Sequence, residues 1–387
     1  MRLGVVGLGA RSKIAQYADR PGENVQVVAV CDPVESCRET GLKQFPAAKA
    51  YADHRELLEL GLDAVFLTTP DHLHEEPAID FLEAGVAVFV EKPLAITTEG
   101  CDRVLEAARR TGARLYVGHN MRHMPVVQIM REQILAGAIG EVKAIWCRHF
   151  VGHGGDFYFK DWHADRSKTT SLLLQKGAHD IDVMHWLAGG YTTRASAFGE
   201  LVVYGGISDR MDRTGQRFDE FVDEANWPPL EQKGLAPVMD VEDLSMANLQ
   251  LDNGAYLTYQ QCHFTPDYWR NYTVIGTAGR LENFGDGPGG VVKVWNSRRS
   301  GYREDADEVI EIPTADGGHA GADPRLVNEF LTFVRDGSPT LTSPIAARTA
   351  VAAGHAATVS LRDNGNPVDV PALDPELVAY FERGQTA

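Results

Sequence analysis

The sequence predicts an α/β protein in which a doubly wound parallel sheet is followed by an α+β domain with a large, mainly antiparallel open sheet. Short apolar runs alternate with helical patterns in the first 120 residues, the pattern changes near Gly118, and the later strand candidates are separated by turn sequences. The 387 residues are enough for two domains. We therefore expect one domain over residues 1–120 and a second over residues 121–387.

The parallel sheet is predicted from runs rich in β-branched and other apolar residues, which are typical of strands buried on both faces. These runs are Leu3–Val6, Val25–Val30, Ala64–Thr68, Ala87–Val90 and Arg114–Val117. The clearest helix between them has apolar residues at 101, 104, 105 and 108, a start signal at Thr97 or Thr98 and a stop signal at Gly112. Alternating strands and helices predict a doubly wound sheet.

The second domain is predicted to begin with a helix opened by Pro125 and ended by Gly137 and Gly140. Strand candidates follow at Glu141–Phe150, Ala195–Val203, Leu244–Leu251, Ala255–Cys262, Tyr272–Gly276 and Val291–Trp295. Turn sequences such as Asp252-Asn253-Gly254 favour antiparallel pairing. Residues 205–240 form a long polar segment, which is either a substrate cover or subunit contact, or a passive insertion.

Composition narrows the class of partner. Thirty-seven basic and 54 acidic residues give a net charge of −17, so nucleic acid and anionic membranes are not expected partners. Five scattered cysteines without a CxxC pair and the lack of an 18–20-residue apolar stretch predict a reduced, cytoplasmic protein. We expect no metal, because compact ligand spacing is missing among His149, His153, His163, Asp165, His179 and Asp180.

A glycine-rich turn lies between the first strand and a helical run expected from about Lys13, and it reads Gly7-Leu8-Gly9-Ala10-Arg11-Ser12. At this place backbone N–H groups and a helix N-terminus can hold the pyrophosphate of a dinucleotide. Ser12 stands where the third glycine of the GxGxxG pattern is usual, but it is also small. The turn predicts that the N-terminal domain is a Rossmann dinucleotide-binding domain.

Asp32 follows Gly9 by 23 positions and ends the second predicted strand. A carboxylate there accepts hydrogen bonds from the adenosine ribose and repels a 2′-phosphate. The expected cofactor is therefore NAD, while Arg11 and Arg38 leave NADP open as the less favoured choice.

Further motifs carry a resemblance to a known family: Thr68-Thr69-Pro70 with His74, Glu91-Lys92-Pro93-Leu94, and Gly118-His119-Asn120 with Arg122 and Pro125. Together with the glycine turn they resemble the glucose–fructose oxidoreductase/inositol dehydrogenase (Gfo/Idh/MocA) family of nicotinamide-dependent sugar and polyol enzymes. The resemblance implies a homodimer or homotetramer and a Lys92-Pro93 peptide that is often cis. It adds to the cofactor site Thr69, Pro70, His74, Glu91, Lys92 and Asn120.

The resemblance places Lys92 beside the nicotinamide and the substrate hydroxyl. Burial and a neighbouring cationic ring would lower the pKa of this lysine toward a range useful for proton transfer. A second family motif, DxxxH, aligns with Gln175 to His179, so that Gln175 replaces the usual Asp. On a helix, Gln175, His179 and Asp182 share one face, and Asp182 could orient His179. The base is His179, Lys92 or the two linked through substrate. If it is His179, activity should fall below roughly pH 6.5.

We expect a hydride to pass between NAD and a secondary alcohol of a sugar, glycoside or cyclitol. The alternatives are an NAD-dependent glycosidase that oxidises its substrate transiently and then eliminates the aglycone, and a non-catalytic nicotinamide-sensing regulator. Asn120 and Arg122 follow the fifth strand, and Trp162 and His163 lie in an aromatic-rich loop that could supply a stacking face. The expected substrate contacts are Lys92, Asn120, Arg122, Trp162, His163, Gln175 and His179.

Overall fold

The computed structural model describes residues 1–223 and 225–385. Its first sheet has six parallel strands hydrogen-bonded in the order β3-β2-β1-β4-β5-β6. They are β1 (Arg2–Val6), β2 (Gln26–Cys31), β3 (Lys49–Tyr51), β4 (Ala64–Leu67), β5 (Ala87–Val90) and β6 (Leu115–Val117). The five predicted strands are confirmed. Strand β3 was missed because it is a three-residue edge strand without a buried apolar run.

Three α-helices accompany this sheet: α1 (Glu35–Gln44), α2 (Glu75–Glu83) and α3 (Thr98–Thr111). Helix α3 begins and ends as predicted, because the Thr97 side chain accepts a hydrogen bond from the Gly100 N–H and Gly112 takes a left-handed φ of 71°. The helix after the glycine turn begins earlier than the expected Lys13 and is a 3₁₀ helix, Ala10–Tyr17. Its first turn is tight because the Gly9 carbonyl accepts bonds from both the N–H and the hydroxyl of Ser12.

The second sheet has nine strands in the order β14-β13-β12-β11-β7-β10-β9-β8-β15. All neighbouring pairs are antiparallel except β7 and β10, which confirms the mainly antiparallel prediction. The strands are β7 (Val142–Phe150), β8 (Thr192–Glu200), β9 (Leu244–Leu251), β10 (Tyr256–Cys262), β11 (Trp269–Gly276), β12 (Arg280–Phe284), β13 (Val291–Trp295), β14 (Glu308–Glu311) and β15 (Val368–Asp369). Strands β12, β14 and β15 were missed, since they are short and largely polar.

The helices that follow the first sheet in the chain pack on both sheets. They are α4 (Pro125–Leu135), α5 (Gly154–Tyr158), α6 (Arg166–Thr169), α7 (Leu172–Gln175), α8 (Gly177–Ala188), α9 (Ala322–Asp336), α10 (Pro344–Arg362) and α11 (Pro375–Glu382). Phe330 of α9 contacts the rings of Phe66, Phe89 and Tyr116 on the first sheet. The strands of the first sheet come before residue 120 and those of the second sheet come after residue 121. The division into two domains at this place stays a prediction. Helix α9, although it lies late in the chain, completes the core of the first sheet.

Short 3₁₀ helices connect these elements at Ala10–Tyr17, Pro21–Glu23, His54–Leu57, Asp71–Leu73, Asn120–His123, Trp162–Ala164, Tyr204–Gly206, Phe218–Glu220 and Pro229–Glu231.

The helix expected to carry Gln175, His179 and Asp182 is divided at Lys176, so Gln175 ends α7 and His179 lies in the first turn of α8. The Ser171 hydroxyl caps α7 and contacts the Thr358 hydroxyl at 2.6 Å, which ties α7 to α10.

The segment over residues 205–240, described except for residue 224, packs on the chain that follows β7. Leu235 and Ala236 share a small apolar core with Phe159 and Tyr204. At its other end Arg217 reaches the glycine turn, where its Nη1 donates to the Leu8 carbonyl at 3.4 Å. The segment therefore joins the chain that follows β7 to the dinucleotide turn.

Two further features concern the class of protein. Each of the five cysteines is a free thiol. Within residues 1–223 and 225–385, no helix combines the length and the apolarity that a membrane crossing needs.

Candidate active site

The glycine turn is shaped to let a ligand approach the backbone. Gly7 has a φ of +87°, and a Cβ on it would lie 2.6 Å from the Thr69 backbone nitrogen, so only glycine fits between β1 and the end of β4. A Cβ on Gly9 would meet no atom within 4 Å and would instead fill the open space above the turn. The Ala10 and Arg11 N–H groups begin the 3₁₀ helix that follows, where no preceding helical carbonyl is in place to accept from them. These residues fit the pyrophosphate of NAD.

Asp32 ends β2 beside this turn and is 9% exposed. Its carboxylate accepts one hydrogen bond from the Leu8 N–H at 2.8 Å and one from the Val34 N–H at 2.9 Å. Leu8 was expected among the cofactor contacts, but its N–H is bound to Asp32, so the residue supports the turn instead. The Arg38 guanidinium donates to the Asp32 and Pro33 carbonyls, each at 2.8 Å, and not to the carboxylate.

A charged network joins the turn to the motif around Lys92. Arg11 bonds Glu91 at 2.6 Å and forms a two-pronged pair with Asp323 at 2.8 and 3.0 Å. Asp323 also accepts a hydrogen bond from the Asn120 amide at 3.0 Å. The Arg11 side chain is therefore a structural link, and only its backbone can serve the pyrophosphate as expected. Sequence reasoning missed Asp323, which is 312 positions from Arg11.

The Lys92 side chain extends from the end of β5 to the end of α7. Its Nζ donates to the Gln175 carbonyl at 3.2 Å, which places the ammonium group at the end of α7. Burial lowers the pKa of Lys92, and the carboxylate of Asp71 opposes this shift. The Lys92-Pro93 peptide is cis, as the resemblance implies.

His74 holds this corner together rather than contacting a cofactor. Its ring is fully buried, with Nδ1 2.7 Å from the Pro93 carbonyl oxygen and Nε2 2.9 Å from the Thr69 carbonyl oxygen. Both ring nitrogens are thus occupied by backbone. The expectation of a direct cofactor contact from His74 is corrected to a positioning role for the Thr69-Pro70 and Lys92-Pro93 segments.

His179 lies on the first turn of α8. Burial and then neighbouring positive charges, led by Lys92 and Lys176, hold the pKa of His179 well below that of free imidazole. A fall in activity below about pH 6.5 is therefore not expected from His179, because its imidazole stays neutral near that pH. Its Nδ1 has no hydrogen-bond partner within the described chain.

Asp182 does not orient His179 as expected. It forms a two-pronged pair with Arg122, with bonds of 2.8 and 2.7 Å, and lies 3.5 Å from Nδ1 of His119. His119 in turn faces His179 at a ring distance of 6.3 Å. Arg122 also donates to the Leu341 carbonyl, so the substrate contact expected of Arg122 is corrected to a buried structural pair.

The aromatic-rich loop does approach the cleft. Trp162 stacks on His163 with ring centroids 3.7 Å apart and lies 6.1 Å from the ring of His72, which follows Pro70 by two residues. His163 is close enough for its charge to act on Asp71. Trp162 and His163 thus stay candidate substrate contacts.

Three further polar residues of the cleft were missed by sequence reasoning. Asp71 follows Pro70 and is 5% exposed. The Tyr158 ring centroid lies 5.7 Å from the Lys176 ammonium nitrogen. Tyr158 also raises the pKa of Lys92, against the effect of burial. Burial lowers the pKa of Lys176 to about 8. Asp71 could have been suspected from its place directly after the Thr69-Pro70 motif, whereas Tyr158 and Lys176 have no signal in the sequence.

Metal ligation has no candidate within residues 1–223 and 225–385, where no three His, Cys, Asp or Glu side chains are grouped to hold an ion. The site instead combines a dinucleotide turn with the Lys92 amine and the His179 imidazole, which lie close enough for Lys92 to lower the pKa of His179. Such a fold and site define a nicotinamide-dependent oxidoreductase.

Comparison with known families gives the same class. Residues 1–119 match the NAD-binding Rossmann-fold model of the Gfo/Idh/MocA oxidoreductase family, and residues 131–370 match the model of its C-terminal α/β domain. The chain belongs to this family. The resemblance stated from the sequence and the expected NAD cofactor are confirmed.

Individual relatives are distant. The chain is 25% identical over 306 residues to YteT of Bacillus subtilis, which covers 69% of this chain and 72% of that protein. It is 31% identical over 192 residues to inositol 2-dehydrogenase of Salmonella typhimurium, which covers 48% of this chain. The match spans about half, 54%, of that enzyme.

Solved structures share the fold at low sequence identity. A levoglucosan dehydrogenase in complex with NADH and L-sorbose superposes with a TM-score of 0.78 at 20% identity, covering 96% of this chain and 99% of that one. The WlbA dehydrogenase of Bordetella pertussis, in complex with NADH and UDP-GlcNAcA, gives 0.73 at 19% identity, covering 96% and 98%.

Proposed function

We propose that the protein oxidises a secondary alcohol of a sugar, glycoside or cyclitol, or catalyses the reverse reduction, with NAD as the hydride carrier. The observation that carries this proposal is the position of Lys92, whose Nζ is held at the end of α7 while Glu91 is occupied by Arg11. Relatives named as inositol and levoglucosan dehydrogenases support the substrate class.

The turn from Gly7 to Ser12 and Asp32 would hold NAD, which would supply the hydride acceptor. The neutral amine of Lys92 takes the hydroxyl proton, since burial favours its uncharged form. His179, kept neutral chiefly by burial, forms a hydrogen bond with the substrate hydroxyl and orients it. Asn120, Trp162, His163 and Gln175 form the remaining candidate contacts.

The experiment is NADH formation across free sugars, cyclitols and glycosides. A dehydrogenase forms NADH in proportion to the product. A glycosidase releases the aglycone with only catalytic NAD, and a regulator binds NAD without turnover, so either result would refute the proposal.

Lys92→Met should abolish turnover, a loss of about 10²–10⁴-fold, while NAD binding persists. Lys143→Met is the matched control, because Lys143 is an exposed residue of β7 whose ammonium group pairs with Glu141. Equal turnover in the two variants would contradict the role of Lys92.

We also propose that the protein is a homodimer or homotetramer through the outer face of the second sheet. Trp146, Phe198, Met246 and Tyr256 lie on the neighbouring strands β7 to β10 and are 52, 58, 43 and 61% exposed. Apolar faces of this kind mark interfaces. Light scattering should give a dimer or tetramer for the native chain and a monomer for Trp146→Glu/Phe198→Glu, and a monomeric native chain would overturn this assembly.

A further inference from the structure

Gln175 stands where the family motif has an aspartate, yet a second carboxylate lies in the same part of the cleft. Asp71 begins the short 3₁₀ turn Asp71–Leu73, directly after Pro70, and is 5% exposed. Its Oδ2 is buried without a hydrogen-bond partner in the described chain. A buried carboxylate oxygen without a partner is unfavourable, so its presence calls for a role.

The groups around Asp71 belong to the proposed catalytic corner. Burial raises the pKa of Asp71, and His74, Lys92, His163 and the Gln175 side-chain amide oppose this shift. The Gln175 Oε1 is itself buried without a partner, which agrees with an amide whose nitrogen side faces the carboxylate.

Among the residues that the structure describes, Asp71 is the carboxylate with the largest effect on the charge of Lys92. The charges that act on it are those of Asp71, Tyr158, Lys176 and Glu91, and Asp71 exerts the largest effect of the four. Glu91 is bound to Arg11 and to the Lys92 N–H, so it cannot turn toward the Lys92 ammonium group.

We propose that Asp71 is the positioning carboxylate of this active site: its turn is joined through His74 to the Lys92-Pro93 segment, Lys92 reaches position 175, where the family carries its acid, and Asp71 balances the charge that Lys92 gains with the substrate proton. In that step the substrate O–H bond breaks and an N–H bond forms on the Lys92 lone pair. Asp71 stays ionised and neutralises the new ammonium group.

The amide at position 175 is the consequence of a carboxylate at position 71. Two adjacent carboxylates repel one another, and one of them takes up a proton. A glutamine avoids this repulsion because its side chain carries no charge. We therefore expect a carboxylate at position 175 to take over the role of Asp71 when position 71 no longer carries one.

The test is the titration of Lys92, which needs no substrate. In protein with ¹³C-labelled lysine, the Lys92 signal is assigned by its loss in Lys92→Arg and followed against pH by NMR. Asp71→Asn removes the negative charge that opposes the effect of burial, so the pKa of Lys92 should fall by about one unit or more. The double variant Asp71→Asn/Gln175→Asp should restore it. Asp80→Asn is the control, since Asp80 pairs with His54 on α2.

Kinetics then test the consequence, which rests on the proposed function. With a substrate found in the panel, Asp71→Asn should lower kcat about 10²-fold. The fall of kcat at acidic pH should also begin at a lower pH, because the pKa of Lys92 is lower in this variant. The double variant should recover most of the lost kcat. Gln175→Asp alone should not raise kcat. An unchanged Lys92 titration in Asp71→Asn, or a double variant no better than the single one, would overturn the inference. A native protein without turnover on the whole panel would instead refute the proposed function, while the titration would still decide the role of Asp71.

Discussion

The pair formed by Arg122 and Asp182 provides a stability test of the wall behind the cleft. The two side chains are 6 and 2% exposed and share bonds of 2.8 and 2.7 Å. Asp182→Asn keeps the shape but removes the charge and turns an NH₂ group toward a guanidinium N–H. Two charge-assisted hydrogen bonds at about 1.5–3 kcal/mol each give a loss of about 3–6 kcal/mol. This agrees with the cost of about 3–5 kcal/mol for a buried charge left unpaired.

Urea unfolding followed by far-ultraviolet circular dichroism measures this loss. Arg122→Met/Asp182→Leu removes both charges and should be less destabilised than Asp182→Asn, since no buried charge is left alone. Asp369→Asn is the surface control, because its pair with Arg194 is exposed and should contribute nothing measurable. The reasoning would be refuted if Asp182→Asn were as stable as the native chain, or if the double variant were equally destabilised.

Three further predictions concern the cofactor and the base. Asp32→Ser/Pro33→Arg should shift the preference from NAD toward NADP by at least about tenfold, because the carboxylate that repels a 2′-phosphate is gone and a cation is added. Arg217→Met should weaken NAD binding about 3–10-fold in calorimetry, since it breaks the contact between the 205–240 segment and the Leu8 carbonyl. His179→Asn should lower kcat but leave the acidic limb in place, because the group that loses its proton as pH rises is Lys92 and the neutral imidazole does not titrate there.

Each of these has a contrary outcome. Tighter binding of NADP than NAD by the native chain would contradict the role of Asp32. Equal NAD affinity in Arg217→Met and in the surface variant Arg194→Met would show that the 205–240 segment does not serve the cofactor site. A flattened acidic limb in His179→Asn would identify His179 as the base.

The elements that could be predicted are those with strong local signals. Helix α3 was predicted from its own cap, apolar spacing and final glycine, which act within a few residues of one another. The glycine turn and Asp32 were predicted for the same reason, since a strand, a tight turn and a carboxylate at a set distance reflect local geometry. Short edge strands such as β3 lack a buried face and left no such pattern.

By itself, the sequence determined the two-sheet architecture, the family, the dinucleotide turn and the candidate pair Lys92 and His179, because each depends on contiguous motifs or on periodic burial. Only the tertiary structure decided which partners the polar side chains take. Arg11 meets Asp323 across 312 positions, and Lys92 meets the end of α7 across 83. Such contacts depend on how the two sheets and the returning helices pack, and buried charges choose partners by distance in space and not along the chain.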